Sequence, residues 1–191
     1  MRKTAAVAAI IALALTAAVP ALAHGGGDHH DGGSRLWRDL VKALKVSAEY
    51  HNVARAKGDG FAPFAIPEEV GGTLLTIGGD EITCFDSADG GMGVHYVRNI
   101  DGELDPGDPE ALVYQVGRGD RLRLVALEYL IPEEFVDPAS PPKLFGHMMH
   151  HHPFLPVYIL HVWIWKWNPS GLFADFNPRV PGCPTSSSDQ R

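Results

Sequence analysis

The chain has 191 residues, 16 of them Lys or Arg and 23 Asp or Glu, and 45% of its residues are hydrophobic. Gripping nucleic acid or an anionic membrane takes clustered Lys and Arg, and here the basic residues are few and scattered, so no nucleic-acid partner is expected. The acidic residues are scattered too and read as a solvated surface, not a docking tail.

The first elements carry an export signature. Arg2 and Lys3 precede an apolar run from Ala5 to Val19 that only Thr16 interrupts, and Ala21-Leu22-Ala23 fits the small-x-small pattern of a cleavage site. The run falls short of the ~20 apolar residues that span a bilayer. Residues 1–23 are therefore expected to be a signal peptide, the mature chain to begin near His24, and the protein to be secreted or periplasmic. The later apolar stretch Val157–Trp167 is cut by His161 and Lys166, so no stable membrane insertion is expected. Without the leader the formal net charge moves from −7 to −9 and 168 residues remain, a length that makes one domain with a real core. The expected organisation is a flexible His/Gly-rich tail over 24–33, a single globular domain over 34–183 and a disordered C-terminal tail over 184–191.

After the tail HGGGDHHDGG, Ser34 offers an N-cap, and Trp37, Leu40, Val41, Leu44 and Ala48 recur at helical spacing. This predicts one amphipathic helix over about 35–57, ended by Gly58 and Gly60. His51 falls on the same stripe and reads as a hydrogen-bonded core histidine before it reads as a metal ligand. From Phe61 on, strand signals take over. The expected strands are Thr73–Ile77, Ile82–Phe85, Gly93–Arg98, Ala111–Val116, Arg121–Ile131 and Val157–Trp167. Leu112–Val116 and Leu122–Leu130 flank the turn Gly117-Arg118-Gly119-Asp120 and form a hairpin. The tripeptide Arg118-Gly119-Asp120 matches a cell-adhesion motif, which Gly-rich turns also make by accident. Pro132–Pro156 holds six prolines and is expected to be a long, mostly irregular excursion. Helical crossovers are absent after residue 60, so the fold class is α+β: an N-terminal amphipathic helix packed on a curved, mainly antiparallel β-sheet or small barrel.

Two cysteines, Cys84 and Cys183, make one disulfide the simplest reading in an oxidising compartment, tying the C-terminal segment to the body. Three strands each place one ionisable residue in an apolar context: His95 in Val94-His95-Tyr96-Val97, Glu128 in Leu127-Glu128-Tyr129-Leu130, and His161 in Leu160-His161-Val162-Trp163. A carboxylate pointing into an apolar interior needs a partner, because burying it alone costs several kcal/mol. Three readings stand. The trio is a metal site, a metal-free polar pocket, or a hydrogen-bond network that only satisfies itself. Two neutral imidazoles and one carboxylate form the facial set that suits Fe(II), and also Zn or Mn, leaving positions open for a ligand.

The run His147-Met148-Met149-His150-His151-His152 adds possible accessory ligands at His147, His150 and His151, and His with Met suits Cu. After cleavage His24 would be N-terminal and could chelate copper in the manner of lytic polysaccharide monooxygenases and small periplasmic copper carriers. That likeness stops at Gly25-Gly26-Gly27, which cannot hold a rigid site. Trp163, Trp165 and Trp167 alternate along the last strand, so Trp163 and Trp165 could wall a ligand pocket.

The blocks Cys84-Phe85-Asp86, GGMGVHYV (90–97), EALVYQV (110–116) and LHVWIWKWNPSGLFADFNPRV (160–180) resemble an uncharacterised family of secreted bacterial proteins over most of the chain after residue 45. The resemblance implies that these blocks share one domain and implies no activity. The cupins are an analogy at the level of architecture only. The expectation from sequence is a secreted binding protein for a metal ion or small ligand. The alternative is a metal-dependent enzyme, a cupin-like oxygenase, lyase or isomerase. No nucleophile, base and oxyanion donor can be assembled, which favours binding.

Overall fold

The computed structural model describes residues 31–66 and 71–184. The expected signal peptide, most of the His/Gly tail with His24, and residues 185–191 lie outside the described residues. The fold is α+β. Helix α1 (Asp31–Ser47), a 3-10 turn (Ala48–His51) and helix α2 (Val53–Gly58) come first. Then follow β1 (Ala62–Pro63), β2 (Thr73–Ile77), β3 (Asp80–Ser87), β4 (Gly90–Val97), β5 (Ala111–Val116), β6 (Leu122–Pro132), β7 (Lys143–Leu144), β8 (His147–Met148), β9 (His150–His151) and β10 (Val157–Val162). Eight strands form one antiparallel sheet in the order β2-β3-β4-β5-β6-β10-β9, with β1 paired to β4, and β7 with β8 makes a separate hairpin. The sheet stays open, so the barrel alternative does not hold.

The helical segment differs from its expected form in three ways. It starts at Asp31, which takes Asp31–Gly33 out of the tail and puts Ser34 inside the first turn. It breaks at Asn52, whose side chain accepts the Ala54 N–H and caps α2. Its buried stripe is Leu40, Ala43, Ser47 and Tyr50, while Trp37 is 69% exposed. The small side chains Ala43 and Ser47 are fully buried, and the bulky indole of Trp37 is left outside. Ser47 also accepts the Trp165 Nε1–H at 3.0 Å. His51 is exposed and meets the Trp165 ring edge-on, so it is not a core histidine.

Residues Tyr96, Leu112, Tyr114, Leu127, Tyr129, Leu160 and Val162 turn to the helices and build the larger core. Alternate residues turn to the opposite face, where Val113, Ala126, Trp163 and Val180 form a second cluster, which Val125 also joins at the register shift between β5 and β6. Burial on both faces explains why β5 and β6 read as nearly continuous apolar runs. The C-terminal segment supplies the second cover. Asn177 bridges to Gly91, and the disulfide joins Cys84 to Cys183. Gly91 has to be glycine because a Cβ there would run into the Pro181 carbonyl, and Gly93 sits at φ +111° beside the β3–β4 bulge.

The last strand is shorter than expected. Trp163 N–H bonds the Leu172 carbonyl and Trp165 N–H the Val125 carbonyl, which turns the chain out of the sheet after Val162. The indoles therefore share no face. Trp163 joins the second cluster, Trp165 packs toward the helices, and Trp167 is 67% exposed beneath the Arg179 guanidinium. The Pro132–Pro156 excursion is also more ordered than expected, containing β7, β8 and β9.

Glu110 immediately precedes β5, and its buried carboxyl group accepts the Leu130 N–H at 3.0 Å. Burial pushes its pKa up to about 8 against an ordinary 4.5. A raised pKa means that the folded state holds the proton more tightly, so this stability is full below about pH 4.5 and lost as pH rises through 8. Glu110→Gln keeps an acceptor for Leu130. In urea titrations of metal-free protein it should remove part of the decline between pH 5 and pH 9; an unchanged difference from wild type across that range would refute the assignment.

Candidate metal centre

His95, Glu128 and His161 all lie on the sheet face away from the helices. Glu128 on β6 is directly opposite His161 on β10 and Ala111 on β5, and His95 on β4 is opposite Val113. β5 therefore stands between His95 and Glu128, and the short side chain of Ala111 leaves room for them to meet across it. Glu128 Oε1 is 3.4 Å from His161 Nε2, and Glu128 Oε2 is 3.4 Å from His95 Nε2. One ligand atom from each of the three residues falls within 4.8 Å of the others, and all three residues are buried. Among the described residues this is the one such group.

Asp175, in the segment after β10, holds the far side of His161, its Oδ1 lying 3.3 Å from His161 Nδ1. Its other oxygen is 3.2 Å from His150 Nε2. With the shared proton on Nδ1, His161 Nε2 presents its lone pair toward Glu128, and that atom is buried without a hydrogen-bond partner. Phe85 meets the His95 ring edge-on and Trp163 stacks behind His161, which fixes both imidazoles.

The electrostatics follow from burial. Desolvation, reinforced by His161 and His152, brings His95 down to about 3, so it is a neutral imidazole at neutral pH. Desolvation raises Glu128, opposed by the attraction of His161. Burial pulls His161 down, but Glu128 and Asp175 outweigh it and leave it above the ordinary value. Asp175 is lifted by burial and lowered more strongly by its bonds to His150 and His161, so it stays ionised.

A cavity of about 330 Å³ opens on this group, and His95, Glu128, His161, Asp175, His150 and His152 all line it. Of the accessory histidines, only His150 reaches the cavity. His147 stacks on Phe173, and His151 pairs with Glu133 at 2.8 Å on the surface. Met149 is buried in the core while Met148 is exposed, so the His-Met run forms no single ligand set. The cavity wall excludes Trp163 and Trp165, because the turn after Val162 carries both away from it. Its apolar lining comes from Phe64, Phe85, Leu130, Leu155, Ile159 and others. Sequence reasoning missed Asp175 and His152. Asp175 did carry a signal, as a lone acid between apolar neighbours in Leu172-Phe173-Ala174-Asp175-Phe176.

These features define an α+β protein whose open antiparallel sheet carries a buried His-Glu-His group that could hold a metal ion. Comparison with known protein families, curated proteins and solved structures gave no match to this chain. No helix among the described residues is long and apolar enough to cross a membrane, and the disulfide is compatible with an oxidising compartment.

Proposed function

We propose that the protein, exported through residues 1–23, binds one divalent metal ion through His95, Glu128 and His161. The carrying observation is the pair of 3.4 Å contacts from Glu128 to the two imidazoles. They are long for hydrogen bonds, whose usual N···O distance is ~2.9 Å. Each has the length of an edge of a coordination polyhedron, since ligand atoms ~2.1 Å from one ion lie ~3–3.5 Å apart, and an ion between the imidazoles would meet the Glu128 carboxylate through both oxygens. A self-satisfied network would close these gaps and would not leave His161 Nε2 unpartnered. The donor set of two imidazole nitrogens and one carboxylate suits Zn, Fe(II), Mn or Cu. Asp175 acts as the outer carboxylate that orients His161.

A second reading has one observation in its favour. All three proposed ligands face the cavity, so a bound ion would keep a position open toward it, the arrangement that separates catalytic from purely structural metal sites. A metal-dependent enzyme would use that position to polarise a substrate. Calorimetric titration of the purified, exported protein with Zn(II) at pH 7 should show one tight equivalent that His95→Ala loses. Histidines elsewhere contribute only weaker binding, common to both proteins. Equal tight binding by His95→Ala, or none by wild type, would remove the proposal.

A further inference from the structure

Resting on the metal reading, we infer that the cavity takes a small molecule with an apolar body and a single oxygen-donor head, the head reaching the open position on the ion. The cavity holds about 330 Å³, roughly twice the ~150 Å³ known to accommodate benzene in an apolar protein cavity. Its floor is the His-Glu-His group, and its walls are mainly apolar, including Phe85, Val97, Leu130, Leu155, Ile159 and Phe176.

The charged groups decide how many polar ends the ligand can have. Among the described residues no Lys or Arg lines the cavity. Asp86 is engaged by the Cys183 N–H at 2.8 Å, and Asp175 by His150 and His161. With Glu128 as the one carboxylate ligand, a bound divalent ion leaves a net charge near +1, which suits a neutral or singly anionic head. Among the described residues a second anionic group would meet no Lys or Arg, since His150 and His161 are already taken by Asp175, and would lose its hydration against apolar walls. The mouth continues the pattern, since Ile100 and Phe154 line the cavity and are 40% and 71% exposed. His152 Nδ1 accepts the Phe154 and Leu155 N–H groups and so holds this lip in place.

The test uses the full exported chain loaded with Co(II), whose visible spectrum reports a ligand on the ion, and two probes sharing one chelating head: benzohydroxamate and acetohydroxamate. Burying the extra ring surface should make benzohydroxamate bind about tenfold or more tightly than acetohydroxamate. Both probes should change the Co(II) spectrum. Ile100→Ser/Phe154→Ser, which alters only exposed mouth residues, should keep full Co(II) content and reduce that preference. Co(II) bound at the site with equal affinity for the two probes would overturn the ligand class and leave the metal site standing. Benzohydroxamate binding that persists in His95→Ala would overturn the placement of its head. Failure of wild type to bind Co(II) would overturn both readings.

Discussion

Replacing Cys84 and Cys183 together with alanine should lower the free energy of unfolding by about 3–5 kcal/mol in metal-free buffer. The bridge joins residues 99 apart in sequence, so cutting it returns a large loop-closure entropy to the unfolded chain; the chain-entropy model gives ~4.7 kcal/mol for a loop near that length. The denaturant slope should also rise, because a chain without the cross-link exposes more surface when it unfolds. The effect reaches the site. The segment that the bridge pins back carries Asp175, and Cys183 N–H bonds Asp86 on the cavity wall. The double variant should therefore bind metal more weakly as well as unfold more easily. A loss below about 1 kcal/mol with an unchanged slope would show that the Asn177–Gly91 and Val180 contacts hold the segment unaided.

Much of the sheet was legible because its strands are punctuated locally. β2 (Thr73–Ile77) stops before Gly78-Gly79 and β5 (Ala111–Val116) lies between Pro109-Glu110 and Gly117, and both match their expected bounds. The three ionisable residues stood out because two-sided burial makes their strands apolar almost throughout, so one charge breaks an otherwise uniform run. Other features depend on distant contacts that no local pattern carries. The end of β10 is set by bonds from Trp163 and Trp165 to Leu172 and Val125, so extending the alternation to Trp167 failed. Asp175 lies in an irregular segment whose return over the sheet is fixed by the bridge at Gly91 and the disulfide. The buried stripe of the helix differs from the expected one because Trp37 outweighs Ala43 and Ser47 in any hydrophobic count, although the two small residues are the ones fully buried. The helix was misread in length because low glycine propensity at Gly32 and Gly33 is only a weak prior.

If three side chains from three strands hold one ion, the stability of the folded protein must depend on that ion. An ion that binds only the folded state stabilises it by ~2.7 kcal/mol at a hundred times its dissociation constant. Urea unfolding of wild type with saturating Zn(II) should show at least that gain, reversible by chelator. Glu128→Ala and His161→Ala should show almost none, because each removes one of the three ligands to the same ion. In metal-free buffer the two substitutions should still be non-additive, with a coupling of ~0.5–3 kcal/mol, since Glu128 and His161 face each other across β6 and β10. Chelator-reversible stabilisation in wild type that both variants lose is the predicted result. A wild-type protein that Zn(II) leaves unchanged, or variants that gain as much as wild type, would mean that these three side chains hold no ion together.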